Sequence, residues 1–326
     1  MVGKHIKAFP NIGNSCYMDC VIFCLFATPN EFVQKQILKS RKSFVECSSN
    51  NINKLFFKQL KSTLADLHTS LMSGHDDSDR KKNSCTSLKA LIRKFRPECA
   101  WMTTTYPNFG NSSQQEALEF LQFIFSPFGL NGTKDCGNHL QTTKRYGVAY
   151  SKTQIEWLPW FNRIDKRSSI IFFVNHDIFK ESKKSIGKFI KPSQINLGLE
   201  NTKYKKCIVN ASHEKQEFIH FSDLVVIAID RINPVTNQVL HNPVKIDKSI
   251  VSSSSKSLHL DSVIVHLGET KTSGHYICFK KCDRKWLLYD DLMEDVVNIG
   301  SWTKVLKYRN GLVEKNGVLF FYTVQY

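Results

Sequence analysis

No stretch of this chain holds 18 consecutive apolar residues, so no membrane-spanning helix is legible in it. The start of the chain reads as a poor secretory leader. Lys4 and Lys7 supply basic residues near the start, but the first apolar run begins only at Cys20, directly behind Asp19. The expectation is a soluble intracellular protein, cytoplasmic or nuclear, with no membrane partner. Among the ten cysteines no Cys-x-x-Cys pair occurs, which removes the usual sign of a tetrathiolate zinc site. A chain of 326 residues with 41% apolar content has material for a sizeable core, so free thiols are expected rather than a disulfide framework. Acidic residues are scarce: 29 Asp and Glu stand against 45 Lys and Arg, a formal net charge of +16. Residues 131–215 alone hold 16 basic against 7 acidic side chains. Such a surplus can attract nucleic acid or an acidic partner. No nucleic-acid-binding motif accompanies it, and a solvated, lysine-rich surface accounts for it. No internal repeat is found.

What is present divides the chain in two. Residues 16–27 are apolar nearly all round and read as a buried helix ended by Thr28-Pro29. Phe56, Leu60, Leu64, Leu67 and Leu71 recur every three or four residues, the mark of an amphipathic helix over 52–72. "SGHDDSDRKKNSCTS", 73–87, reads as a polar, mobile loop, and Leu88, Leu91, Ile92 and Phe95 as a short helix stopping before Pro97. "SSQQEALEFLQFIF", 112–125, reads as a further helix, with Ser113 and Glu116 spaced as a capping box. Six segments then read as strands: 169–175, 223–230, 262–267, 275–281, 285–291 and 317–324, with "SSSSKS" at 252–257 as a linker. A helical first 130 residues followed by a mostly β remainder makes an α+β fold, a helical lobe beside a sheet.

The chemistry starts with "NIGNSCYMDCVIFCLFA", 11–27. A cysteine at the start of a helix faces free N–H groups and the positive end of the dipole, which favour negative charge on sulfur. Cys20 and Cys24, on the same face at four-residue spacing, read as core packing. A cysteine nucleophile needs a base. "SGHYICF" places His275 at a strand start behind a glycine loop, and Asp290 ends the next strand in "KWLLYDD". If Cys282-Asp283-Arg284 turns these strands into a hairpin, His275 and Asp290 lie side by side. A carboxylate there can hold the imidazole tautomer and stabilise the imidazolium. Asn11 and the Cys16 backbone N–H could donate to a developing oxyanion.

In this order these elements resemble the ubiquitin-specific proteases, a papain-like cysteine peptidase family. "FPNIGNSCYMDCVIFCLF" is similar to the family's Cys box, "SSQQEALEFLQFIF" to its Gln-Gln block, and "FSDLVVIAIDRI" to the strand usually ending in Lys-Arg-Phe. "VIVHLGETKTSGHYICFKKCDRKWLLYDD" with "GVLFFYTV" is similar to its His box and closing strand. The resemblance implies a single catalytic domain over 1–326: a helical thumb at 1–130, reduced fingers and palm at 131–222, and a palm carrying the His box at 223–326. It implies Cys16 as nucleophile, His275 as general base, Asp290 as its orienting acid, Asp291 as a second acid and Asn11 as an oxyanion donor. Gln114, Glu116 and Glu119 would line the channel for the ubiquitin tail, and "GETKTSG", 268–274, would be a mobile loop. No metal or cofactor is implied, and ubiquitin or ubiquitinated proteins are the partners. A protease for another ubiquitin-like modifier, or a module that binds ubiquitin without cleaving it, stand as alternatives. The chain departs from the pattern at Phe9-Pro10, at Asp19 where the family has Asn, and at Glu116 where it has Asp. The zinc-binding Cys-x-x-Cys pairs common in the fingers are also missing.

Overall fold

The computed structural model describes residues 8–9, 13–40, 51–72, 78–95, 116–130, 138–149, 155–169, 171–174, 202–204, 207–209, 211–233, 235–252, 255–270 and 273–324. Among the described residues the first helices are α1 (Cys16–Phe26), α2 (Asn51–Met72), α3 (Ser78–Phe95) and α4 (Ala117–Phe125), with a π-helical turn at Val33–Leu38. The strands follow: β1 (His139–Ala149), β2 (Ile155–Ser168), β3 (Ile171–Val174), β4 (Thr202–Tyr204), β5 (Cys207–Val209), β6 (Ala211–His220), β7 (Leu224–Ile229), β8 (Ser249–Val251), β9 (Ser257–Thr270), β10 (Ser273–Cys282), β11 (Lys285–Tyr289) and β12 (Val297–Gly300). Helices α5 (Trp302–Lys307) and α6 (Leu312–Asn316) lead into β13 (Gly317–Thr323).

The main sheet runs β12-β11-β10-β9-β13-β7-β3, with β8 also pairing on β9. Its pairs are antiparallel except β3 with β7. β1 pairs with β2 on one side and β6 on the other in a separate antiparallel sheet, and β4 pairs with β5. The run "LVVIAI" of β7 is buried at every position because both sheet faces are covered. Leu224, Val226 and Ala228 join α1, α2, α3 and α4 in one core, while Val225, Ile227 and Ile229 join Trp302, Val305 and Val313 in the other. α1 sits in the first core with all eleven residues buried, as its all-round apolar sequence requires.

Three expectations need correction. Residues 78–87 are not a loop but the first turns of α3. Leu88, Leu91, Ile92 and Phe95 anchor its second half in the core, and adding a residue to an existing helix costs far less than nucleating one. Ser78 and Asp79 are also residue types that favour a helix start. Second, α4 begins at Ala117, with Glu116 itself at the N-cap in extended backbone (φ −83°, ψ 138°) and no side-chain capping bond. Glu116 therefore cannot be the third helical residue that a capping box with Ser113 requires. Ser113 and Gln114 lie outside the described residues. Third, most of 268–274 is strand: β9 runs to Thr270 and β10 restarts at Ser273, the two residues paired and their hydroxyls 2.8 Å apart.

Candidate active site

Gly13 (φ 57°) and Asn14 (φ 56°) take successive left-handed conformations, which Gly and Asn tolerate best, and turn the chain into α1. The polar loop ahead of Cys16 thus delivers the cysteine to the first position of the helix. α1 packs on β10 and β9.

His275 is set there by a bulge. The β9–β10 register shifts between Ser273 and His275, and the residue between is Gly274 at φ 145°. A Cβ at Gly274 would stand 2.5 Å from the Leu267 carbonyl oxygen and 2.7 Å from His266 Nε2, so only glycine fits this approach. Across the hairpin, Cys282 pairs with Lys285 and Cys278 with Tyr289, which leaves Asp290 just past the end of β11. Tyr289 is locked against the other lobe: its hydroxyl accepts from the Phe9 N–H at 3.2 Å and its ring stacks on Phe23 at 4.7 Å.

These constraints bring three sequence-predicted residues together. His275 Nε2 lies 2.7 Å from Asp290 Oδ1, and the Leu292 N–H donates to the same oxygen at 3.1 Å. The Cys16 side chain lies close enough to the same imidazole to raise its pKa. Burial alone would lower the His275 pKa, but the Asp290 hydrogen bond and the Cys16 sulfur outweigh it and push the value up to about 10. Asp290 is held below its ordinary value: burial opposes this, but the hydrogen bonds from His275 and Leu292 prevail. Asp291 Oδ1 lies 3.7 Å from His275 Nε2 with its side chain fully buried, and neither oxygen has a hydrogen-bond partner among the described residues. Burial first, and the Asp19 charge next, push Asp291 up to about 6. The ligand atoms of His275, Asp290 and Asp291 lie within 4.8 Å of one another, close enough to bridge a divalent cation, which would compete with the imidazolium proton. An imidazole held between a thiol and a carboxylate can take a proton from sulfur and return it to a leaving group.

The remaining predicted residues divide. Asn11 lies outside the described residues, as Gln114 does. Glu116 lines a pocket of about 240 Å³ that also includes Ala117, Asp230, Arg231, His266 and Tyr276. Glu119 is half-buried within α4, and burial raises its pKa. Cys20 and Cys24 are core residues as expected, packed near Cys278, and burial pushes all three thiols up. His266 was not read from the sequence. It is buried on Tyr276, with ring centroids 4.6 Å apart; its Nε2 is unpaired among the described residues, and burial lowers its pKa to about 4. Its alternation with Leu267 on a strand looks like ordinary packing, so no local signal marks it. Lys89 was missed as well. Its ammonium is buried against Asp19 at 2.8 Å.

A cysteine at a helix N-terminus, facing a histidine–aspartate pair on an antiparallel sheet, is the arrangement of a papain-like α+β cysteine peptidase fold. Residues 8–322 match the family "Ubiquitin carboxyl-terminal hydrolase", and the chain belongs to that family. It is 24% identical over 314 residues to human "Ubiquitin carboxyl-terminal hydrolase 42", covering 89% of this chain and 22% of that protein. It is 22% identical over 348 aligned positions to Arabidopsis thaliana "Ubiquitin carboxyl-terminal hydrolase 25", covering 95% of this chain and 46% of that protein. The chain thus spans between about a fifth and a half of these two relatives' lengths. Among solved structures, the Ubp8/Sgf11/Sus1/Sgf73 DUB module bound to ubiquitin aldehyde superposes with a TM-score of 0.64 at 18% identity, covering 98% of this chain and 70% of that one. Among the described residues, no helix is long and apolar enough to cross a membrane.

Proposed function

We propose that this chain is a thiol-dependent deubiquitinating peptidase that hydrolyses the isopeptide or peptide bond after the C-terminal glycine of ubiquitin. The observation that carries it is the convergence of Cys16 and Asp290 on one imidazole, His275. With Nε2 engaged by Asp290, Nδ1 is the nitrogen left to take the thiol proton. The sulfur attacks the glycine carbonyl, and the oxyanion is held by the Cys16 N–H and the Asn11 amide. His275 then protonates the leaving amine and activates the water that releases ubiquitin from the thioester. Asp290 orients the ring throughout, with Asp291 as a second negative charge behind it. Gln114, Glu116 and Glu119 line the channel for the ubiquitin tail, and the pocket containing Glu116 and Tyr276 supports this for Glu116. Residues 1–326 form one catalytic domain, with 1–130 as thumb, 131–222 as shortened fingers and palm, and 223–326 as the remaining palm. The cytoplasm or nucleus is its compartment.

The test is labelling by ubiquitin bearing a C-terminal electrophile, beside the same electrophile on ubiquitin-like modifiers. Ubiquitin is expected to label the chain at Cys16, and Cys16→Ala to abolish both labelling and cleavage of a ubiquitin C-terminal amide. Labelling at Cys20 or Cys278 would overturn the assignment, and preference for another modifier would overturn the substrate.

A further inference from the structure

The first turn of α1 carries a second buried polar group. Asp19, on the nucleophile's own helix, is fully buried, yet it is held as an ion pair. Lys89 Nζ lies 2.8 Å from Asp19 Oδ1 and donates to Oδ2 at 2.9 Å. The same ammonium donates to Ser15 Oγ at 2.8 Å, and the Ser15 hydroxyl donates to Asp19 Oδ2 at 3.0 Å. Three groups from two elements, 70 or more residues apart, thus close a ring immediately before Cys16.

Ser15 is the N-cap of α1. Serine at an N-cap normally accepts from the second or third N–H of the helix. Here its hydroxyl makes no capping bond, being occupied by Lys89 and Asp19. The Ser15 carbonyl still accepts from Met18 N and Asp19 N, so the helix is well formed from its first turn. The N-terminal field of α1 is therefore not spent on the cap side chain. Without Lys89, the Asp19 carboxylate would lose this counter-charge, and its negative charge in that same turn would oppose negative charge developing at the reacting centre.

We propose that Lys89 is a positioning residue for the reaction at Cys16: its ammonium neutralises Asp19 and holds the Ser15 hydroxyl off the helix start, so that the first N–H groups of α1 face the developing oxyanion. This rests on the deubiquitinase reading for its substrate, but not for its geometry. Asp19 and Lys89 also act in opposite senses on Asp291, the first raising its pKa and the second lowering it.

The test compares Lys89→Met, Asp19→Asn and the double variant. An amide at position 19 still accepts the Ser15 hydroxyl proton without needing a counter-ion. K89M is expected to lower kcat on a ubiquitin C-terminal amide at least tenfold with KM changed less than twofold. It should also move the acid limb of the kcat profile to higher pH. D19N alone, which takes the carboxylate away from the buried Lys89 ammonium, should also lose activity. D19N/K89M should return to within threefold of the wild-type kcat and restore the acid limb. A K89M enzyme as active as wild type, or a double variant no better than K89M, overturns the proposal. If K89M does not fold, the charge-free pair carries the test, and an inactive but folded D19N/K89M overturns it. Alkylation of Cys16 by a haloacetamide, read by mass spectrometry, forms no oxyanion and so checks the charge-neutralising part of the role without ubiquitin, with the same ranking expected. If that ranking holds while ubiquitin is not cleaved, the substrate reading fails and the electrostatic role of Lys89 stands.

Discussion

Replacing Asp290 with Asn keeps the shape of the side chain and removes its charge. The hydrogen bond affected is short, 2.7 Å, between a histidine side chain only 20% exposed and a carboxylate 8% exposed, so solvent screens it little. A charge-assisted hydrogen bond of this kind is worth about 1.5–3 kcal/mol. At about 1.4 kcal/mol per factor of ten, kcat/KM should fall roughly 10- to 100-fold. The pH dependence is more telling than the size of the loss. His275, held at about 10, loses its main anionic partner, so the alkaline limb of the kcat/KM profile should move down by about one to two pH units. Stability follows the same linkage. The raised His275 pKa contributes stability in full below its ordinary value of 6.5, and this fades as pH rises through about 10. The lowered Asp290 pKa contributes stability above the ordinary value of 3.8, and this fades as pH falls below it. The melting-temperature difference between wild type and D290N should therefore be widest between about pH 4 and 6.5 and shrink on either side. Asp291, 3.7 Å from the same nitrogen and without a hydrogen-bond partner among the described residues, stands ready to take over part of the role. D291N alone should cost less than D290N, and the double variant more than the product of the two. The assay is hydrolysis of a ubiquitin C-terminal fluorogenic amide from pH 5.5 to 10, with thermal melts over the same range. An alkaline limb that stays in place in D290N would refute the electrostatic account, whatever the loss in rate.

Two further substitutions probe the supports of the site. Gly274→Ala puts a methyl group 2.5 Å from the Leu267 carbonyl oxygen and should cost about 1–3 kcal/mol in a thermal melt. Labelling by electrophile-tagged ubiquitin should fall further than that loss explains, because the strand must shift beside His275; unchanged labelling would show that the bulge does not set the histidine. Glu116→Gln, in the pocket wall, should lower kcat/KM about tenfold on wild-type ubiquitin and much less on a ubiquitin whose tail arginine is leucine. Glu119→Gln is expected to follow the same pattern, and equal losses on both tails would return these residues to the role of ordinary helix acids.

Much of this arrangement was legible in the chain itself. The apolar all-round run after Cys16 could only be a buried helix, and two short apolar runs, "SGHYICFKK" and "KWLLYDD", joined by a three-residue turn read as a hairpin that sets His275 and Asp290 side by side. Local rules failed where local signals compete with packing. The polar residues 78–87 carry no apolar stripe, yet they continue a helix whose second half is anchored in the core. Ser113 and Glu116 have capping-box spacing, yet the helix begins at Ala117, where its buried face begins.

What the sequence determined by itself is what depends on neighbours along the chain. The left-handed entry at Gly13 and Asn14, the helix that presents Cys16, the two strands that carry His275 and lead to Asp290, and the glycine before His275 all follow from backbone conformation and local sequence. What the tertiary structure alone decided is which charges share a low-dielectric interior. That Lys89 from α3 pairs with Asp19, that Asp291 is buried beside His275 with no hydrogen-bond partner among the described residues, and that His266 lies under Gly274 depend on elements far apart in sequence. Burial makes such encounters matter, because a charge removed from water needs a partner at contact distance, and periodicity along the chain does not say which residue will be there.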